Sequence, residues 1–203
     1  VKNFNMDSID IVRKQVWNSA YVKNLLLENE AVIARIAQVA DLCTEAYRNG
    51  KKTLFAGNGG SAADAQHFAG ELVSKFYFDR PGLPSIALTT DTSIITAIGN
   101  DCGYKQIFAR QIQAQGVKGD VFIGISTSGN SENIVEVLSV CREKGITSIA
   151  LTGANPCKMD EFDIVIKVPS NETPRIQECQ TLIGHIICCI VEENIFSEKY
   201  NNK

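Results

Sequence analysis

From Lys52 onward the chain alternates short apolar runs with longer stretches of helical periodicity, and that alternation leaves few folds open. The runs Thr53 to Ala56, Ser85 to Thr90, Val121 to Ser126, Ser148 to Leu151 and Ile164 to Val168 have strand length and are rich in aliphatic and β-branched residues. Strands separated by helix-length segments pair in parallel, because a crossover long enough to hold a helix returns the chain to the same edge of the sheet. The expectation is an α/β fold, a parallel sheet with helices on both faces. In such sheets ligands bind at the carboxyl ends of the strands, so the loops that follow the strands are where function is sought.

The segment before the first strand, Ser8 to Arg48, is helical in character. Ile9, Ile11, Val12, Val22, Leu25, Leu26, Ile33, Ile36, Val39 and Ala40 recur mostly at spacings of three and four. Two helices there cannot bury much alone, so they cover the sheet or pack on a second subunit, and the subunit interface is the expectation. A last helix is expected from about Pro174 to Ser197, and the polar tail Lys199 to Lys203 is expected to fray. With 203 residues the chain has length for one domain, read as residues 1–203, with a helical pair over 1–50 and an α/β core with its C-terminal helix over 51–198.

Composition narrows the function classes. The formal net charge is −3 and Lys and Arg are scattered, which gives no footprint for nucleic acid. Apolar runs such as Ile186 to Ile190 fall short of the roughly 18 residues that a membrane span needs, so no membrane partner is expected. The N-terminal Val1 to Ser8 lacks the basic-then-apolar pattern of a secretory signal, so a cytoplasmic protein is expected. Cys43, Cys102, Cys141, Cys157, Cys179, Cys188 and Cys189 include no Cys-x-x-Cys pair and read as reduced thiols that mostly fill the core.

Two post-strand loops carry chemistry. Gly57-Asn-Gly-Gly-Ser-Ala62 opens a helix and matches the dinucleotide fingerprint, with Asp91 as the acid that would meet a ribose. Asp91 lies well beyond the usual spacing of about 20 residues, and the same glycines also suit a tight strand-helix turn. Gly124-Ile-Ser-Thr-Ser-Gly-Asn-Ser131 gathers the hydroxyls of Ser126, Thr127, Ser128 and Ser131 near the first turn of a helix expected over Glu132 to Lys144. With Gly129 free to take a positive φ, this loop suits a phosphate monoester; no nucleoside triphosphate loop of the Gly-x-x-x-x-Gly-Lys type is present. Capping by Ser128 or Ser131 accounts for one hydroxyl and leaves the rest unexplained.

The chain has two histidines. His67 and Glu71 stand one turn apart on the helix opened by the glycine loop, near the same strand ends as the phosphate cradle, and the pair suits a shared metal, proton transfer or an incidental surface ion pair. On the C-terminal helix Gln177 and His185 lie off an apolar stripe of Ile176, Cys179, Ile183, Ile186, Ile187 and Ile190. From pattern alone His185 reads as a core residue.

Taken together, Ala56 to Leu72, Gly99-Asn-Asp101, Gly124 to Ser131 and Arg175-Ile-Gln-Glu178 resemble the sugar isomerase (SIS) domain family over nearly the whole chain. The Ser-Thr-Ser-Gly-x-Ser loop is shared across that family, whereas His-x-x-x-Glu with Gln-x₇-His is more specific to its heptose phosphate isomerase branch. The resemblance implies a five-stranded parallel sheet in a flavodoxin-like three-layer arrangement, assembled as a homotetramer with sites at subunit interfaces. It implies interconversion of D-sedoheptulose 7-phosphate and D-glycero-D-manno-heptose 7-phosphate. It places Asn58, Gly59, Gly60 and Ser61 on the sugar, Asn100 and Asp101 on its hydroxyls, and Ser126, Thr127, Ser128 and Ser131 on the phosphate. His67, Glu71, Gln177 and His185 become a zinc set with one ion per subunit, Glu71 and Gln177 also facing substrate, and Glu71 and His185 serve as catalytic acid-base groups. A non-catalytic phosphosugar-binding or replication-initiator-binding member of the family is the alternative; retention of Glu71, Gln177 and His185 argues against it.

Two positions depart from the family pattern: Lys75 where an arginine is frequent, and Pro174 where some members have an aspartate. On a continuous helix Gln177 and His185 are separated by roughly 12 Å and rotated by about 80°, while His67 and Glu71 are roughly 6 Å apart. The firm half of the metal set is therefore expected at His67 and Glu71, completed by the C-terminal helix, with at least one substrate contact from a neighbouring subunit.

Overall fold

The structure, a computed structural model, describes residues 7–200, with side chains through Ser197. Helices α1 (Ser8–Leu27) and α2 (Glu30–Arg48) precede strand β1 (Thr53–Gly57). Then follow α3 (Gly60–Val73), β2 (Ser85–Ala87), α4 (Thr92–Asp101), a 3-10 turn at Tyr104–Gln106, α5 (Ala109–Gln115) and β3 (Val121–Ile125). The chain closes with α6 (Glu132–Val135), α7 (Val137–Lys144), β4 (Thr147–Thr152), a second 3-10 turn at Lys158–Glu161, β5 (Ile164–Lys167) and α8 (Thr173–Tyr200). Residues 1–6 and 201–203 lie outside the described residues, so the expected fraying of the tail is traced only as far as the helical backbone of Tyr200.

The five strands pair in parallel in the order β2-β1-β3-β4-β5. This is the flavodoxin-like order, and its reversal point falls between β1 and β3. Gly57 of β1 pairs in register with Ile125 of β3, so Asn58 and Ser126 leave the sheet side by side.

Period-two alternation splits each strand between two cores. Phe55, Val121, Ile123, Ile125, Ile149 and Leu151 face a layer built from α2, α3 and α8. Leu54, Ala56, Phe122 and Ala150 face the opposite layer, which includes Ile112, Val137 and Cys141.

Local chemistry explains the boundaries. Asn29 caps α2 by accepting the Val32 N–H, and Gly145 ends α7 in the left-handed region. Pro174 sits in the first turn of α8, where its missing N–H costs nothing. β2 is shorter than the apolar run Ser85 to Thr90 because the Thr90 hydroxyl turns back to donate to the Ala87 carbonyl. The helix expected over Glu132 to Lys144 is interrupted at Glu136, whose carboxylate is drawn to Lys105 and Gln106.

Helix α8 is by length and composition apolar enough to cross a membrane, which the short apolar runs alone did not indicate; half of that window is buried in the fold. It packs on α1, α2 and α3 as a core helix. All seven cysteines are free thiols, and burial pushes the Cys43 and Cys141 thiols up to about 12, where they do not ionise at neutral pH. The N-terminal end of α1 buries little: Ile9, Val12, Val16 and Trp17 are exposed, and Trp17 stacks on Tyr21 with ring centroids 5.1 Å apart.

Candidate active site

The phosphate-type loop is assembled around Ser126, which is buried at the end of β3. Its hydroxyl lies 2.9 Å from the Ser131 hydroxyl and 3.5 Å from that of Ser128, and it accepts the Gly129 N–H. Gly129 has φ of 63°, and a Cβ there would meet Cys157 Sγ at 2.2 Å, so no other residue fits the bend. Ser131 makes no side-chain cap to the helix it precedes; its hydroxyl turns back into the loop. The capping explanation thus fails for Ser131. Thr127 and Ser128 line a cavity of about 300 Å³ together with Gly153, Ala154, Asn155 and Thr173.

Beside this loop stands Asn58. Its Nδ2 donates to Asn133 Oδ1, the Asn133 amide donates back to Asn58 Oδ1, and the Tyr104 hydroxyl donates to the same oxygen. Gly59 and Gly60 are exposed and Ser61 is buried on α3. Asn100 and Asp101 lie at the exposed end of α4, bonded to each other at 2.8 Å. Asp91 accepts the Ile94 N–H as the cap of α4, so its carboxylate is engaged in the helix end rather than free for a ribose.

Helices α3 and α8 run side by side in the same direction, matched rung by rung. The Gln177 amide lies against Gly60, where an added Cβ would stand 2.9 Å from its nitrogen. One turn on, the Thr181 hydroxyl donates to Asp64 at 2.9 Å. One turn further, His67 Nε2 and His185 Nε2 are 2.7 Å apart, and Glu71 Oε1 is 3.5 Å from His67 Nε2. The close approach depends on Gly184, since a Cβ there would fall 2.1 Å from the buried Phe68 ring. It follows that the tightest pair crosses between helices, whereas spacing had pointed to the pair within α3.

His67, Glu71 and His185 each bring one donor atom within 4.8 Å of the others, and two imidazole nitrogens with a carboxylate oxygen are a donor set that can hold a divalent metal. Burial raises the Asp64 carboxyl above its ordinary range, offset by the Thr181 hydrogen bond and by charge on His67 and His185. α3 runs back from the sheet edge, and His67 is seven residues, roughly 10 Å, down the helix from Gly60. The His67 side chain is 45% exposed, so the cluster opens on the outer surface of the helical layer.

A buried ion pair holds the end of α3. Arg80 Nε donates to Glu192 at 2.7 Å, and its other nitrogens donate to the carbonyls of Glu71, Leu72, Ser74 and Pro81. Lys75, on the exposed segment before this pair, has no hydrogen bond or ion pair among the described residues. Asn133, Tyr104, Asp64, Arg80 and Glu192 were not singled out in the sequence; each is an isolated polar residue whose partner lies far along the chain.

A family model described as the SIS domain matches residues 19–153. Over 192 residues the chain is 60% identical to the phosphoheptose isomerase of Aneurinibacillus thermoaerophilus, covering 94% of this chain and 97% of that one. The chain belongs to the phosphoheptose isomerases of the SIS domain family. It is also 63% identical over 187 residues to phosphoheptose isomerase 2 of Campylobacter jejuni, covering 92% and 93% of the two chains. The solved phosphoheptose isomerase of Francisella tularensis superposes with a TM-score of 0.88 at 38% identity, covering 93% of this chain and all of that one. That of Neisseria gonorrhoeae gives 0.86, also at 38% identity, over 92% and 100%. Within the phosphoheptose isomerase fold, the β1-β3 reversal carries the hydroxyl loop and the α3-α8 pair carries the imidazole-carboxylate cluster.

Proposed function

We propose that this chain is an aldose-ketose isomerase that interconverts D-sedoheptulose 7-phosphate and D-glycero-D-manno-heptose 7-phosphate, the first step toward nucleotide-activated heptose. The observation that carries the reading is one chain bearing both a preformed hydroxyl cradle at Ser126, Ser128 and Ser131 and a carboxylate beside a pair of imidazoles. A phosphate-binding module needs only the first; moving a carbonyl between C2 and C1 needs the second as well.

In this reading Ser126, Thr127, Ser128 and Ser131 hold the phosphate, Asn58, Gly59, Gly60 and Ser61 meet the sugar, and Asn100 and Asp101 meet its hydroxyls. Glu71 removes the carbon-bound proton to give an enediol, and His185 carries hydrogen between the two oxygens. Zinc, one ion per subunit, fits the donor chemistry of His67, Glu71 and His185, while Gln177, whose amide lies against Gly60 two turns away, would complete the set only by turning its side chain toward the ion; when bound the ion supplies Lewis-acid polarisation of the carbonyl. The whole of 1–203 acts as one SIS unit in the cytoplasm. It assembles as a homotetramer with sites shared between copies: the exposed apolar side of α1 is a surface of the kind that oligomers cover, and the outward-facing cluster at His67 offers a neighbour access.

The test is an NMR assay of purified protein with sedoheptulose 7-phosphate, with and without chelator. Conversion to the aldose that is lost on chelation and restored by Zn²⁺ is expected. No conversion under any condition sinks the isomerase reading, and full activity in chelator removes zinc from it.

Ser128→Ala is expected to raise KM for the sugar phosphate by roughly one to two orders of magnitude, since a hydrogen bond to a charged group contributes about 1.5 to 3 kcal/mol. Steady-state kinetics decides: unchanged KM and kcat would make the loop a structural feature only.

A further inference from the structure

Asn133 is buried on the four-residue helix α6, only 3% exposed. A buried amide costs free energy unless it is hydrogen-bonded, and Asn133 makes its side-chain hydrogen bonds with Asn58 alone. The two amides face each other in a reciprocal pair, with both N–H to O distances at 2.9 Å. Such a pair consumes the Asn58 oxygen together with the N–H on the same side as that oxygen. Tyr104 adds a second donor to the oxygen, again at 2.9 Å. What remains on Asn58 is the other Nδ2 hydrogen, directed away from the pair by the planar amide and without a partner among the described residues.

We infer that Asn133 and Tyr104 are positioning residues for the sugar: they clamp the Asn58 amide in one orientation, so that it presents an N–H donor to a hydroxyl or carbonyl oxygen of the substrate. The identity of that sugar rests on the isomerase reading; the clamp itself rests on the three hydrogen bonds. An unclamped amide is free to rotate by 180° and offer its oxygen instead, which repels a carbonyl oxygen on the ligand and reverses the donor and acceptor roles toward a hydroxyl. The register of Gly57 with Ile125 sets this donor beside the hydroxyl cradle, so a phosphorylated sugar held at Ser126 is within the crevice that Asn58 borders. Asn133, two residues past Ser131, ties the phosphate loop and the sugar-side loop together.

A double-mutant cycle tests the inference. Asn133→Leu is expected to raise KM for sedoheptulose 7-phosphate roughly tenfold, and Tyr104→Phe roughly threefold, with kcat less affected. Tyr104 is 60% exposed, so Tyr104→Phe keeps the test valid even where Asn133→Leu fails to fold. In an Asn58→Ala background both penalties should vanish, because residues that act through Asn58 have nothing left to orient. Penalties that persist at full size in that background overturn the inference, as does an Asn58→Ala protein with wild-type KM. A wild-type protein that binds the sugar phosphate without turning it over would sink the isomerase reading alone; the same cycle is then read as fold-changes in Kd by calorimetry. No binding and no turnover by wild type overturns both.

Discussion

Glu71→Gln is expected to lower kcat by roughly 10² to 10⁴, the range that a positioned general base contributes, while leaving the fold intact. Gln has nearly the same volume as Glu, and the Glu71 backbone carbonyl keeps its hydrogen bond from Arg80. The side chain is 25% exposed, so the change strands no deeply buried group. The hydroxyl cradle is built on β3 and does not touch Glu71, so the loss should fall on kcat far more than on phosphate affinity. Solvent deuterium incorporation into the sugar should fall in step with turnover, because both need the carbon-bound proton removed. Activity within a few-fold of wild type would eliminate Glu71 as the base.

The largest stability effect is expected at Glu192. Its carboxylate is fully buried and accepts the backbone N–H groups of Phe76, Tyr77 and Phe78 as well as Arg80 Nε. Glu192→Ala leaves a buried guanidinium and three backbone donors without their acceptor, and breaking a buried pair in this way costs about 3 to 5 kcal/mol. For a chain of this length the melting temperature should drop by roughly 10 °C. Burial pushes the Glu192 carboxyl up, but the four donors outweigh it and hold the group below its ordinary range. A carboxyl depressed in the folded state contributes stability above its unfolded pKa and loses it as pH falls through the folded one. The gap between wild type and Glu192→Ala should therefore be full at neutral pH and narrow in acid. Thermal melts across pH check this, and a variant that melts with wild type at pH 7 would refute the stabilising role of the buried Arg80–Glu192 pair.

How much of this was legible in the sequence depends on how local the cause is. The strand positions were readable because each is a short apolar run whose burial follows from its own composition; β2 ends at Ala87, whose carbonyl accepts the Thr90 hydroxyl. The hydroxyl loop was readable for the same reason, since Ser126, Ser128 and Ser131 meet within six residues. The depth of the imidazole-carboxylate cluster was not. His67 and His185 are 118 residues apart, and their approach is set by the packing of Phe68 on Gly184, which no periodicity reports. The Arg80–Glu192 pair and the Asn58–Asn133 pair are hidden likewise, because a lone buried polar residue looks in sequence like any surface one.

The reach of α8 bears on how the protein comes into being during synthesis. Ile176, Cys179, Ile183, Ile187 and Val191 complete one of the two cores, Gln180 donates to the Leu151 carbonyl, and Glu192 anchors the segment after α3. His185 lies on the same helix. A nascent chain that has emerged only as far as β5 therefore holds five strands with one open apolar face, and has half of its imidazole pair. Hydrophobic closure and the assembly of the imidazole-carboxylate cluster both await α8, which is made after β5, so a chain halted before that helix is exposed to chaperones and proteases with neither in place.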